Sequence, residues 1–314
     1  MSVHPISPAQ LREALSGDGA GGVHTEQIQS WCAALEAGGV LYFPETPLPI
    51  PASDLEVLLG QQQTGSKLHK NIAYKPKSDE LTGVDAKASS AETVRRVHEV
   101  MRRYSKSVDG FLGQFLATYQ KRWVLDYASY RPLEERGREL SVRRRNDLLH
   151  TDAFPTRPTR GWRILRFFHN IHPTRTRDWV VGEEFPRVVG SFAPGTLALP
   201  RPDSALARGG KQIAAATGLN RLVPQWKRTP YDEFMRQLHN AMKEDAAFQD
   251  TCAKEYIEFA PGSSWMVYTE TVPHAVLAGQ YALEQTFLVD PGAMVTPESA
   301  PIAVLEKMAG ARLA

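Results

Sequence analysis

Arg143-Arg144-Arg145-Asn146-Asp147-Leu148-Leu149-His150-Thr151-Asp152 ends on an H-x-D triplet, and Trp162-Arg163-Ile164-Leu165-Arg166-Phe167-Phe168-His169-Asn170-Ile171 follows it as a run of strand formers. In an extended segment residues 150 and 152 point to the same face, because strand periodicity is two. A single histidine, His274, lies far downstream in Thr271-Val272-Pro273-His274-Ala275-Val276, beside two more β-rich runs at 264–267 and 282–289. Two imidazoles and one carboxylate fill one face of an octahedral Fe(II) and leave three adjacent positions open, enough for a bidentate oxoacid and dioxygen together. Taken alone, the triplet reads as a structural histidine beside a solvated aspartate, and His274 as a satisfied core residue. The flanks favour the metal, because ligands at the ends of strands are what a cupin or jelly-roll barrel requires. Asp152 also argues against a halogenase, in which halide needs the carboxylate position vacant.

The same alternation nominates an anchor for the oxoacid. Leu165, Phe167 and Ile171 share one face of the 163–171 strand, and Arg166, Phe168 and Asn170 share the other. A guanidinium inside a barrel is costly without a partner, and a dicarboxylate meets it with two parallel charge-assisted hydrogen bonds. Neutralisation by a core acid is the competing reading.

Around this centre the chain reads as an α+β protein, one domain over 1–314 with a double-stranded β-helix (jelly-roll) core. Residues 1–122 are mostly helical support, 123–172 and 260–290 form the core, and 173–259 form a helical insertion that shapes the substrate mouth. Ser7-Pro8 reads as a helix start, Gln27 to Ala37 as a helix closed by Gly38-Gly39, and Val40 to Phe43 as a strand. Ser53-Asp54-Leu55-Glu56 and Ser89-Ser90-Ala91-Glu92 match the capping box. Val94, Val97, Met101, Tyr104, Val108, Phe111, Phe115 and Tyr119 recur every three or four residues as one apolar stripe laid against the sheet. A helical pattern returns from Asp232 to Glu258.

Net charge is +2 over 314 residues, which argues against nucleic acid as a partner. The charge is uneven: between Arg131 and Arg166 ten arginines stand against five acids. That excess favours an anionic substrate over a merely solvated basic face. The two cysteines, Cys32 and Cys252, lack metal or redox spacing and suit a reducing compartment. Residues 1–20 show no signal-peptide pattern, and no apolar run approaches the ~20 residues of a bilayer span. A cytoplasmic location is expected.

H-T-D-A-F-P at 150–155, G-W-R-I-L-R-F-F-H-N-I-H-P at 161–173, V-G-E-E-F at 181–185, P-H-A-V-L-A-G-Q at 273–280 and L-E-Q-T-F at 283–287 resemble the 3-deoxy-D-manno-oct-2-ulosonic acid (Kdo) 3-hydroxylases, of the Fe(II)/2-oxoglutarate-dependent dioxygenases. The resemblance is strongest over roughly residues 125–290. It implies Fe(II) as cofactor, held by His150, Asp152 and His274, with 2-oxoglutarate and O2 as cosubstrates. Oxidative decarboxylation to succinate and carbon dioxide would drive hydroxylation of carbon 3 of Kdo in a lipopolysaccharide (Kdo-lipid A) precursor. Many members of the superfamily grip the far carboxylate of 2-oxoglutarate with a cation on the strand after the distal histidine. The segment 281–287 holds none. This strengthens Arg166 as the anchor, with Asn170 on the same inward face, Arg163 next, and Gln285 and Thr286 as hydrogen-bond partners of undecided facing. Arg131, Arg144, Arg145, Arg157 and Arg160 are the candidates for the sugar carboxylates and lipid phosphates. A lipid-linked substrate would bring the enzyme, as a peripheral protein, to the cytoplasmic face of the inner membrane. Two other readings stay open: a JmjC-like or phytanoyl-type hydroxylase of another substrate, and a non-enzymatic cupin-like sugar-acid binder.

Overall fold

Alternating apolar side chains on four strands, β2 (Val40–Phe43), β6 (Arg163–Asn170), β9 (Ser264–Tyr268) and β11 (Ala282–Val289), set the layers of the fold. A computed structural model describes residues 3–16, 22–61, 71–85, 88–219 and 224–314. Leu41, Phe43, Leu165, Phe167, Met266, Tyr268, Leu283 and Phe287 face a core shared with the N-terminal helices. Val40, Phe168, Trp265 and Val267 face the other way, into a core between two sheets.

The larger sheet runs β1-β2-β9-β6-β11-β5-β3-β4, where β1 is Val3–Pro5, β3 Ile72–Lys75, β4 Glu80–Thr82 and β5 Trp123–Arg131. Its members pair antiparallel except β1 with β2. The smaller sheet, β10-β7-β8, holds β7 (Arg177–Val181), β8 (Glu255–Phe259) and β10 (His274–Ala278), all antiparallel. Trp179, Val181, Ile257, Phe259 and Val276 meet Phe168 and Trp265 between the sheets, and Trp265 stacks on Phe259 with centroids 3.8 Å apart. Two sheets closed over one core with helices outside make the expected double-stranded β-helix.

Helices α1 (Pro8–Ser16), α2 (Gly22–Glu36), α3 (Ala52–Leu59) and α4 (Ala91–Phe115) cover the larger sheet. On α4, Val97, Met101, Tyr104, Val108, Phe111 and Phe115 are buried, as the stripe predicts. Helices α5 (Phe185–Phe192), α7 (Pro230–Glu244), α8 (Ala246–Thr251) and α9 (Pro301–Ala309) build a third core on the far side of the smaller sheet. Helix α6 (Ala205–Ala216) stands apart.

Four sequence expectations need correction. The segment 173–259 is not purely a helical insertion, because β7 and β8, two of the barrel's own strands, lie at its ends; only the part from α5 to α8 is helical. Residues 255–258 are strand and not helix. Exposed Glu255, Tyr256 and Glu258 flank buried Ile257 and Phe259, a period near two that the preceding helical pattern masks. Helix α3 starts at Ala52 after an N-cap at Pro51, so Ser53 caps nothing, and Asp54 instead pairs with Arg103 of α4 at 2.6 Å. The cap of α4 is Ser90, whose side chain accepts from Thr93 N, one residue beyond the box read at Ser89.

Candidate metal centre

The chain bends at residues 146–148 and then passes beside β10 through 149–152 without a regular ladder. Val276 N donates to Asn146 O (2.8 Å), His150 N to His274 O (3.1 Å) and His274 N to His150 O (2.9 Å), a single antiparallel bridge that sets the two histidines opposite each other. Asp152 N then donates to Thr269 O (2.9 Å). The extended backbone puts His150 and Asp152 on one face, and Thr151 on the other, against Met242 Sδ of α7. One ligand atom from each of His150, Asp152 and His274 lies within 4.8 Å of the other two.

Both imidazoles are set up to coordinate through Nε2. Nδ1 of His150 lies 2.7 Å from Leu148 O, and Nδ1 of His274 lies 2.9 Å from Val272 O. A carbonyl only accepts, so Nδ1 carries the proton in each ring and the Nε2 lone pair is left for a metal. His274 also stacks on Trp179, 5.2 Å between centroids. Burial lowers the basicity of both histidines and keeps them neutral. Burial alone would raise the Asp152 carboxyl, but the Arg166 guanidinium beside it overrides that and holds the acid well below the usual carboxylate range. Its Oδ2 is buried and makes no hydrogen bond, although Arg166 Nη2 lies 3.0 Å away. Two neutral imidazoles and an ionised carboxylate with an unfilled oxygen fit a divalent iron.

The outer edge of the H-x-D segment, where a strand would pair in a regular barrel, is held by helices. Gln249 of α8 accepts from Leu149 N and donates to Leu149 O, both at 2.9 Å, as a strand neighbour would. His239 of α7 lies with Nδ1 2.7 Å from Thr151 O and its ring edge-on to His150 at 5.0 Å. Gln249→Ala would leave both buried backbone groups of Leu149 unpaired. The expected result is a metal affinity lowered about ten- to a hundredfold, read by titrating the apoprotein with Co(II). An unchanged affinity would show that the bridge to His274 is sufficient.

A cavity of about 520 Å³ is lined by Arg131, Arg157, Arg166, Glu284 and Thr286, with Asn71, Lys75, Tyr127 and Ser129 among the remainder. At its inner end Glu284 ties two arginines together: Arg131 Nη2 at 2.6 Å and Arg166 Nη1 at 2.5 Å. Arg166 reaches on to Asp152, so the chain Arg131–Glu284–Arg166–Asp152 links the cavity to the ligand set. Arg157 stacks between the rings of Tyr127 (4.0 Å) and Phe154 (4.6 Å) and pairs with Asp126. A bulge in β5 between Leu125 and Ala128 turns the strand at Asp126 and Tyr127.

The expected site residues therefore divide. His150, Asp152 and His274 converge, and Arg166 and Thr286 face the cavity beside them. Asn170 shares the inward face but its amide is consumed: Nδ2 donates to Arg175 O and Phe259 O, and Oδ1 accepts from His172 N. Arg163 is fully buried with Glu270 and Thr271 over the ring of Tyr268, on the opposite face from Arg166. Gln285 also points away, its Nε2 bonded to Asp126 O and Thr286 O. These three are corrected as cosubstrate contacts because the donor groups of each are held by the fold. Arg131, a candidate for the substrate's anionic groups, is largely buried against Glu284. Arg157 lines the cavity. Arg145 pairs with Asp147 at 2.6 Å, and Arg144 and Arg160 are exposed. Glu284 and Tyr127 were not singled out, although the alternation of β11 with Thr286 marks Glu284 as inward. His239 and Gln249 carry no sequence signal, since nothing local says that α7 and α8 flank the triplet.

A family model described as 3-deoxy-D-manno-oct-2-ulosonic acid (Kdo) hydroxylase matches residues 20–312. Among solved structures, the Kdo hydroxylase KdoO, a non-heme Fe(II) alphaketoglutarate-dependent dioxygenase, in complex with alphaketoglutarate and Fe(III), is 31% identical, with a TM-score of 0.81 over 100% of this chain and 97% of that one. The same enzyme with cobalt(II) aligns at 32% identity and a TM-score of 0.82, over 99% and 97% of the two chains. Its complex with succinate and Fe(III) gives 31% and 0.80, over 99% and 97%. A comparison with curated protein sequences found no match.

Proposed function

The chain belongs to the Kdo hydroxylase family, and we propose that it hydroxylates carbon 3 of a Kdo residue carried on a lipid-linked lipopolysaccharide precursor. It is an Fe(II)- and 2-oxoglutarate-dependent dioxygenase acting on Kdo, with O2 as the second cosubstrate. That membership sets aside the non-enzymatic binder and the JmjC-like or phytanoyl-type substrate. The observation that supports the site most directly is the convergence of His150, Asp152 and His274 beside an arginine-lined cavity.

Iron bound there supplies oxidative decarboxylation of 2-oxoglutarate coupled to oxidation of an unactivated C–H bond. His150 and His274 would hold it through Nε2 and Asp152 through its carboxylate. Arg166 orients Asp152 and, with Arg131, offers guanidinium N–H groups to the far carboxylate of 2-oxoglutarate. Glu284 fixes the direction of both forks. Arg157 stands farther from Asp152 along the cavity, clamped by two aromatic rings, and is assigned to the sugar acid, with Lys75 beside it. The exposed Arg144 and Arg160 add positive potential for lipid phosphates, whereas the charge of Arg145 is met by Asp147.

Mass spectrometry of lipid A core material from cells with and without the protein tests the reading; a gain of one oxygen on Kdo is expected. Loss of 2-oxoglutarate turnover on a Kdo lipid, with turnover on another acceptor, would move the substrate elsewhere. Acceptor binding should weaken as salt rises, since exposed charges are screened over ~8–10 Å. Arg157→Glu should weaken the acceptor while acceptor-free succinate formation survives. Loss of both together would place Arg157 at the metal centre instead.

No helix among the described residues is long and apolar enough to cross a membrane. The lipid-linked acceptor places the enzyme, in this proposal, as a peripheral protein on the cytoplasmic face of the inner membrane.

A further inference from the structure

Helix α6 gives little of itself to the fold. Only Ala214 of its residues is buried, while Leu206 is 88% and Ile213 64% exposed. Seven residues apart, these two side chains lie on one face, and Gly209 and Gly210 between them shield neither. The helix packs on the Pro224–Lys227 turn, where Trp226 is 45% exposed, and the exposed Leu219 follows its C-terminus. Isolated apolar side chains on a surface are ordinary. Four large ones gathered on one weakly anchored helix and the turn it packs on make an apolar surface that water alone covers poorly.

The charge around the patch says what covers it. Among the described residues of 201–228, five arginines and lysines stand against one acid, Asp203, and Arg228 finds its carboxylate beyond the turn, in Glu233 at 3.2 Å. Asp203 is taken by Lys211 at 2.5 Å, and Arg201, Arg208 and Lys227 have no carboxylate partner among the described residues. A second copy of the chain would bring the same cations against themselves. A bilayer with anionic headgroups matches both the apolar side chains and the cations. The patch is also fastened to the cavity: Arg228, at the end of the turn, donates to Pro155 O through Nε (3.1 Å) and Nη2 (2.6 Å). Pro155 lies between Phe154 and Arg157, the ring and the cation clamped at the cavity wall.

We propose that α6 and Trp226 are a docking surface for an anionic lipid bilayer, and that the contact through Arg228 to Pro155 seats the cavity mouth at headgroup level. Its purpose, access to a lipid-linked acceptor, rests on the function proposed above; the evidence for the surface does not. The full chain is tested by flotation with vesicles of phosphatidylglycerol and phosphatidylethanolamine, and with vesicles of phosphatidylcholine, neither holding Kdo. Binding to the anionic vesicles alone, weakened by salt, is expected. The double variant Leu206→Ser, Ile213→Ser should lose about tenfold or more of that binding while acceptor-free succinate formation is kept. The proposal is overturned if the protein ignores anionic vesicles, if the double variant floats like the unaltered chain, or if light scattering shows a dimer that the double variant dissolves. Vesicle binding without oxygen gain on Kdo would sink the reaction and leave the surface; oxygen gain without vesicle binding would do the reverse.

Discussion

Alanine in place of His150, Asp152 or His274 is expected to remove iron and abolish turnover, a loss of at least three orders of magnitude in rate, with the fold retained. Two remaining ligands do not complete the facial set, and the Nδ1 bonds to Leu148 O and Val272 O cannot substitute for the lost donor. The fold survives because the bridge between residues 150 and 274 is made by backbone atoms, which alanine keeps. Asp152→Ala differs from the other two: it also strips Arg166 of one of its two carboxylates, leaving a guanidinium held by Glu284 alone. Iron content by elemental analysis beside circular dichroism separates metal loss from unfolding. A His150→Ala protein with full iron and full activity would remove the assignment.

Arg166→Ala should raise the apparent constant for 2-oxoglutarate by roughly thirty- to several-thousandfold, the equivalent of ~2–5 kcal/mol for one half of a buried charge pair. The guanidinium does two jobs at once, steering Asp152 and offering N–H groups to the cosubstrate. Its Nε is buried without a hydrogen bond, so one donor remains to be used. Arg166→Lys keeps the charge but not the fork, and should recover iron binding better than cosubstrate affinity. Equilibrium titration of the iron-loaded protein with 2-oxoglutarate under anaerobic conditions reads the effect without turnover. If Arg166→Ala leaves that constant unchanged, the anchor passes to Arg131, the other arm of Glu284.

Much of this arrangement was legible because strand period is local. Val40 to Phe43 is β2 as read, and the alternation of 163–171 placed Leu165 and Phe167 on one face and Arg166 and Phe168 on the other, as the two cores confirm. The stripe on α4 is buried where its 3.6-residue repeat puts it. Reading failed where two local signals competed. Glu255 to Phe259 continued a helical pattern across Cys252, and only pairing with β7 made it a strand. Ser53 carried the box, but Pro51 was already the first turn's boundary and Asp54 had a partner on α4.

The sequence by itself determined the candidate ligand types, the shared face of His150 and Asp152, and the surplus of arginines around them. Only the tertiary structure decided which polar groups were free. Arg163 is consumed by Glu270, Asn170 by two carbonyls and Gln285 by the β5 bulge, while Arg131 and Arg166 meet across Glu284 at the cavity. The H-x-D segment leans on Gln249 and His239, about a hundred residues away in the chain. The physical reason is the same in each case. A side chain's direction follows from its own backbone, but whether its charge or hydrogen bonds are already satisfied depends on partners brought from distant elements, and no local pattern encodes those.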